Sequence, residues 1–135
     1  MEIIHSIFDF NPAQKTFVTI GTFDGVHIGH QKIIEKLVSE AKQQQKKSVL
    51  LTFFPHPRMV LQKDASIKLL NSINERAALL EKTGLDYLII HPFSKEFSRL
   101  KALDFVRDIL VNQLNTAKLI IGYDHHFGKN REGNI

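Results

Sequence analysis

The chain has 135 residues, 43% hydrophobic and 24% charged, which is enough for one globular domain with a sizeable core. Eighteen Lys and Arg against fourteen Asp and Glu leave a net charge of +4, an excess that suits anionic small molecules as well as nucleic acid and selects neither. Cysteine is absent, which excludes disulfides, thiolate metal sites and a cysteine nucleophile. The opening residues carry Glu2, Asp9 and Pro12 and fit neither a secretory signal nor a membrane span, so a cytoplasmic location is expected.

Thr16 to Gly21 is a short β-branched and aromatic run ending in glycine, which reads as a buried strand. From Ile28 to about Gln44, Ile33, Ile34, Leu37, Val38 and Ala41 recur at helical spacing. Ser48 to Phe54 is a near-continuous apolar run stopped by Pro55 and Pro57, as expected of a strand buried on both faces. Asn74 is a candidate N-cap for a helix through Lys82, closed by Gly84, and Asp86 to His91 is a third strand. Lys101 to Leu114 predicts a helix with Leu103, Val106, Ile109 or Leu110, and Leu114 on its inner face, and Ala117 to Gly122 a fourth strand. The β-α alternation predicts an α/β fold with a doubly wound, mainly parallel, Rossmann-like sheet. Ligands on such a sheet collect beyond the C-terminal strand ends. The chain closes at Ile135 in a polar stretch with no closing element, so an incomplete domain is expected.

Five of the seven histidines, His27, His30, His56, His125 and His126, lie in three Gly- or Pro-rich segments at that edge. In GTFDGVHIGH (21–30), Gly21, Gly25 and Gly29 allow close backbone approach to a ligand, and the helix beginning near Ile28 offers unpaired amides and a positive dipole end. His27 and His30, three apart, can project to one side and donate to a polyphosphate. TFFPHP (52–57) mounts His56 in a proline-bracketed turn. GYDHHFGKNREGN (122–134) joins three glycines, acidic and aromatic residues and two basic side chains in one loop.

GTFDGVHIGH resembles the signature of the HxGH nucleotidyltransferases, and with GV before the first histidine it is similar to bacterial FAD synthetase. TFFPHP resembles the TFxPHP segment of that family, and the last loop resembles GxDFxFGxxRxG, with Gly122, Asp124, Phe127, Gly128, Arg131 and Gly133 matching and His125 at a usual phenylalanine position. The resemblance runs from about Phe17 to Asn134. It implies an FMN adenylyltransferase module in residues 1–135, converting ATP and FMN to FAD and pyrophosphate with Mg²⁺. His27 and His30 would be catalytic, and Gly21, Thr22, Phe23, Asp24, Gly25, Gly29, His56 and Arg131 would join them around the nucleotide. Phe54, Pro55, Pro57, Asp124, Phe127 and Gly128 would face the flavin, and Phe93 and Phe97 could border the same pocket, although Phe97, Leu103 and Phe105 first read as core. The family's serine- and arginine-bearing segment and its riboflavin kinase domain are not in this sequence, so weakened transfer is expected.

Direct attack of the FMN phosphate on the α-phosphorus would need no side-chain nucleophile and no protein-held metal, only positioning and charge stabilisation. Competing readings are a cytidylyltransferase of the same superfamily, a non-catalytic nucleotide-binding module, and a metal-dependent hydrolase using His27, His30, His56 and a carboxylate as ligands. Nucleic-acid binding rests on the charge alone and ranks last, and no membrane partner is expected.

Overall fold

A computed structural model describes residues 1–21, 28–54, 73–121, 126–127 and 133–134. Among them are the strands β1 (Glu2–Ile4), β2 (Thr16–Ile20), β3 (Lys47–Phe54), β4 (Tyr87–Pro92) and β5 (Thr116–Leu119). They form one sheet in the order β1-β4-β3-β2-β5, with every pairing parallel. Parallel neighbours cannot be joined by a hairpin, so helices cross over both faces. These are α1 (Ile28–Gln43), α2 (Ile73–Glu81), α3 (Lys95–Ser98) and α4 (Ala102–Asp104), the last continuing as a π-helix over Phe105–Gln113. The α/β, doubly wound, Rossmann-like expectation holds. So does the doubly buried strand expected from Ser48, since Ser48 to Thr52 of β3 are all buried, although Phe53 and Phe54 at its end are not; all five residues of β2 are buried as well.

Alternation along the strands sorts the core into two layers. Phe17, Leu50 and Leu88 meet Ile34, Leu37 and Ala41 of α1 and Ala77 and Leu80 of α2. Val18, Ile20, Val49, Leu51 and Ile89 meet Phe105, Ile109, Leu110 and Leu114 together with Ile7 and Phe10. At the lower edge, the Ser48 amide and hydroxyl both donate to Asp86 Oδ2, at 2.9 and 3.2 Å, and the Asp86 amide donates back to Ser48 Oγ at 3.0 Å, which fixes the β3–β4 register. Gly84, with φ of +88°, turns the chain from α2 into β4, as expected of a glycine after a helix.

Three expectations need correction. Asn74 does not cap its helix: α2 begins at Ile73, and this register turns Arg76, Ala77 and Leu80 inward. The run from Lys101 is not a regular α-helix with Leu103 and Val106 inside, because Leu103 is 74% exposed and Val106 is 37% exposed. From Phe105 the hydrogen bonds reach five residues back, as from the Leu114 amide to Ile109 O at 2.8 Å. The wider turn selects Phe105, Ile109, Leu110 and Leu114 as the buried set. Finally, the opening residues hold structure that the sequence pattern did not mark: β1 pairs with β4, and a 3-10 turn at Ile7–Asp9 is capped by Ser6, whose hydroxyl accepts from Phe8 N.

The π-helical register makes a direct prediction. Leu110→Ala should cost about 2–5 kcal/mol of stability, whereas Leu103→Ala should stay within about 0.5 kcal/mol of wild type. Chemical denaturation of the two variants measures both. Equal costs would restore the regular helix.

Candidate functional site

The chain moves from β2 to β3 to β4 in one direction across the sheet and then returns to place β5 on the other side of β2. In open parallel sheets ligands bind beyond the C-terminal strand ends at such a reversal, which here lies between β2 and β5. Gly21 follows β2 there, its amide donating to Leu51 O at 3.1 Å, and Ile120 follows β5, its amide donating to Val18 O at 2.8 Å. The GTFDGVHIGH and GYDHHFGKNREGN segments are thus the continuations of the two strands that frame the switch point. α1 begins at Ile28, so Gly29 and His30 stand in its first turn, where amides lack intrahelical acceptors and the dipole is positive.

The sequence-derived candidates divide accordingly. Gly21, Gly29, His30 and Phe54 are placed by the fold: the first three at the β2–α1 junction, His30 half-buried, and Phe54 half-exposed as the last residue of β3. Phe127 lies in a two-residue strand, β6 (His126–Phe127), antiparallel to β7 (Gly133–Asn134). A loop was expected there, and the hairpin was not. Thr22, Phe23, Asp24, Gly25, His27, Pro55, His56, Pro57, Asp124, His125, Gly128 and Arg131 lie outside the described residues.

The structure also brings together groups that sequence reasoning did not join. Phe53, at the end of β3, stands 5.6 Å from Phe93 and 5.3 Å from Phe97, ring centre to ring centre, and Phe97 stands 6.2 Å from Phe105. This aromatic group continues to His91 of β4, which lies in register with Phe53 and 5.0 Å from Phe97. His91 was legible only as the last residue of a strand. A histidine ending an interior parallel strand at the ligand-binding edge was the available signal. Thr19, fully buried two residues before Gly21, has no hydrogen-bond partner for its hydroxyl among the described residues.

His91 is 7% exposed, and its Nδ1 accepts the Ile7 amide at 3.2 Å. Nδ1 is therefore unprotonated, and burial moves the imidazole pKa below its ordinary value. Among the described residues no group of three or more His, Asp or Glu could hold a metal ion. No helix there is long and apolar enough to cross a membrane.

A family model described as FAD synthetase matches residues 9–135. The chain belongs to the FAD synthetase family. Curated relatives of this FAD synthetase family member include the bifunctional riboflavin kinase/FMN adenylyltransferase of Buchnera aphidicola from Schizaphis graminum, 36% identical over 98% of this chain and 42% of the relative. The protein of the same name from Escherichia coli K12 is 32% identical over 100% of this chain and 44% of its own length. The chain thus spans less than half the length of these relatives. Among solved structures, a Streptococcus pneumoniae protein described as a macrolide-efflux protein superposes with a TM-score of 0.82 at 24% identity, covering 97% of this chain and 43% of that one. That likeness shows the shared fold.

Burial of neutral His91 has a measurable consequence. The unfolded chain takes up a proton near the ordinary histidine value of about 6.5, and the folded chain only at lower pH. The contribution to stability is complete above about pH 6.5 and is lost as pH falls through the lowered folded value. Denaturant midpoints measured from about pH 8 to about pH 5 should fall less steeply in His91→Phe than in wild type. Parallel curves would contradict a buried neutral imidazole.

Proposed function

We propose that this chain transfers the adenylyl group of ATP to FMN, giving FAD and pyrophosphate. An FMN phosphate oxygen attacks the α-phosphorus of ATP as the bond from that phosphorus to the β-bridging oxygen breaks. Pyrophosphate carries the electron pair away, and no covalent enzyme intermediate is required. The observation that carries the reading is the coincidence of the topological switch point with the N-terminus of α1 and His30 in its first turn. Such a terminus favours phosphate, and an imidazole beside it can donate to the charge that develops on the transferring group.

On this reading the first-turn amides of α1, His27 and His30 hold the triphosphate, while Asp24, His56 and Arg131 complete the nucleotide end. Magnesium bound to the triphosphate supplies charge neutralisation. Magnesium keeps most of its coordination to phosphate and water and is held through few protein groups. Phe54 at the end of β3, Phe93 just beyond β4 and Phe97 of α3 supply aromatic faces for the isoalloxazine, and Pro55, Pro57, Asp124, Phe127 and Gly128 are assigned to the flavin with them. The relatives' names join this transfer to riboflavin phosphorylation; we assign the transfer alone to residues 1–135. A chain without cysteine, acting on ATP and a phosphorylated flavin, suits the cytoplasm.

Calorimetric titration with magnesium-ATP, magnesium-CTP and FMN tests the reading. ATP and FMN should bind and CTP should not. Pyrophosphate release should fall about 100-fold in His27→Ala and in His30→Ala, the scale for loss of one donor to a developing oxyanion. A preference for CTP would favour the cytidylyltransferase alternative, and turnover indifferent to both histidines would contradict the assignment.

A further inference from the structure

At the C-terminal end of β4 a single imidazole touches two other elements, the 3-10 turn at Ile7–Asp9 and α3. His91 faces the same side of the sheet as Ile89, accepts the Ile7 amide at Nδ1, meets Phe8 edge-on at 5.8 Å and lies 5.0 Å from Phe97 of α3. Phe97 is the hub of the aromatic group, in ring contact also with Phe53, Phe93 and Phe105. α3 is only one turn long, with Ser94 as its cap accepting the Phe97 amide at 3.0 Å. A helix that short is not stable through its own hydrogen bonds, so the position of Phe97 depends on the rings around it. Of those rings, His91 is the one fixed by a hydrogen bond to another part of the chain.

We propose that His91 is a positioning residue for the flavin end of the site: anchored by the Ile7 amide, its ring sets where Phe97 stands at the edge of β3 and β4. The proposal rests on the flavin reading above. It makes flavin binding depend on the form of His91. The neutral imidazole accepts the amide, whereas a proton on Nδ1 opposes another N–H and places a charge in a buried aromatic setting, so the ring must leave or rotate.

Among the described residues, the charged groups on the surrounding elements do not offset this. His5 and Asp9 flank the 3-10 turn, Lys95, Glu96 and Arg99 lie on or beside α3, and Arg107 of the π-helix is engaged by Asp104 and Asp108 at 2.8 and 2.9 Å. Burial alone accounts for the lowered His91 pKa.

The test is FMN binding by flavin fluorescence in the full protein carrying this sequence, between about pH 7.5 and about pH 5.5. Three forms are compared: wild type, His91→Asn, whose amide oxygen can accept the Ile7 N–H without titrating, and His91→Phe, which keeps a ring and loses the acceptor. Wild type should lose affinity on acidification about tenfold more than His91→Asn, the scale of a misplaced aromatic contact. Titration of the FMN phosphate is common to both and cancels. His91→Phe should bind FMN about tenfold more weakly at either pH, with magnesium-ATP affinity unchanged. In ¹⁵N spectra, His91 Nδ1 should be the unprotonated nitrogen, and Phe97 ring signals should move as it titrates. Identical acid profiles for wild type and His91→Asn, or wild-type affinity in His91→Phe, overturn the proposal while the flavin reading stands. Absence of FMN binding by wild type at about pH 7.5 overturns both.

Discussion

The structure depends on β2 being paired in parallel on both sides, with β3 on one flank and β5 on the other. Parallel pairing forbids direct turns, so each connection must climb over a face as a helix or a loop with helices. Burial of both sheet faces follows from that, and so do the two core layers. Because the connections leave β2 toward β3 and later return to β5, the strand order reverses beside β2. In sheets of this kind such a reversal is where ligands bind.

On the proposed reading, the chemistry beyond these strand ends needs little from any one side chain. A helix start supplies unpaired amides and a positive dipole end, and a histidine within the first turn adds a donor. One strand over, Phe53 at the end of β3, Phe93 just beyond β4 and Phe97 of α3 are in ring contact, and on the proposed reading they stand at the flavin end. The two environments are adjacent because β2, β3 and β4 are neighbours in the sheet. The FAD synthetase fold thereby sets a phosphate-friendly end beside an aromatic end.

Much of this was legible in the amino-acid order. The strands at Thr16, Ser48 and Asp86 and the helix from Ile28 announce themselves through uninterrupted apolar runs and 3.6-residue spacing. GTFDGVHIGH pointed to the β2–α1 junction because glycines and histidines follow a strand. What was hidden is tertiary in origin. Leu103 and Val106 satisfy the helical pattern, yet a π-helix changes which residues face inward, and no local propensity marks that change. β1 is three residues long and is held by pairing with β4, not by any pattern of its own. The surroundings of His91 became visible only once the Ile7 amide and the Phe97 ring were placed against it.

The most direct test of the account is a crystal structure with a non-hydrolysable ATP analogue and magnesium. The account predicts the triphosphate between the C-terminal ends of β2 and β5, against the first turn of α1 and within reach of His30. A triphosphate bound at the opposite edge of the sheet, or away from α1, would contradict it.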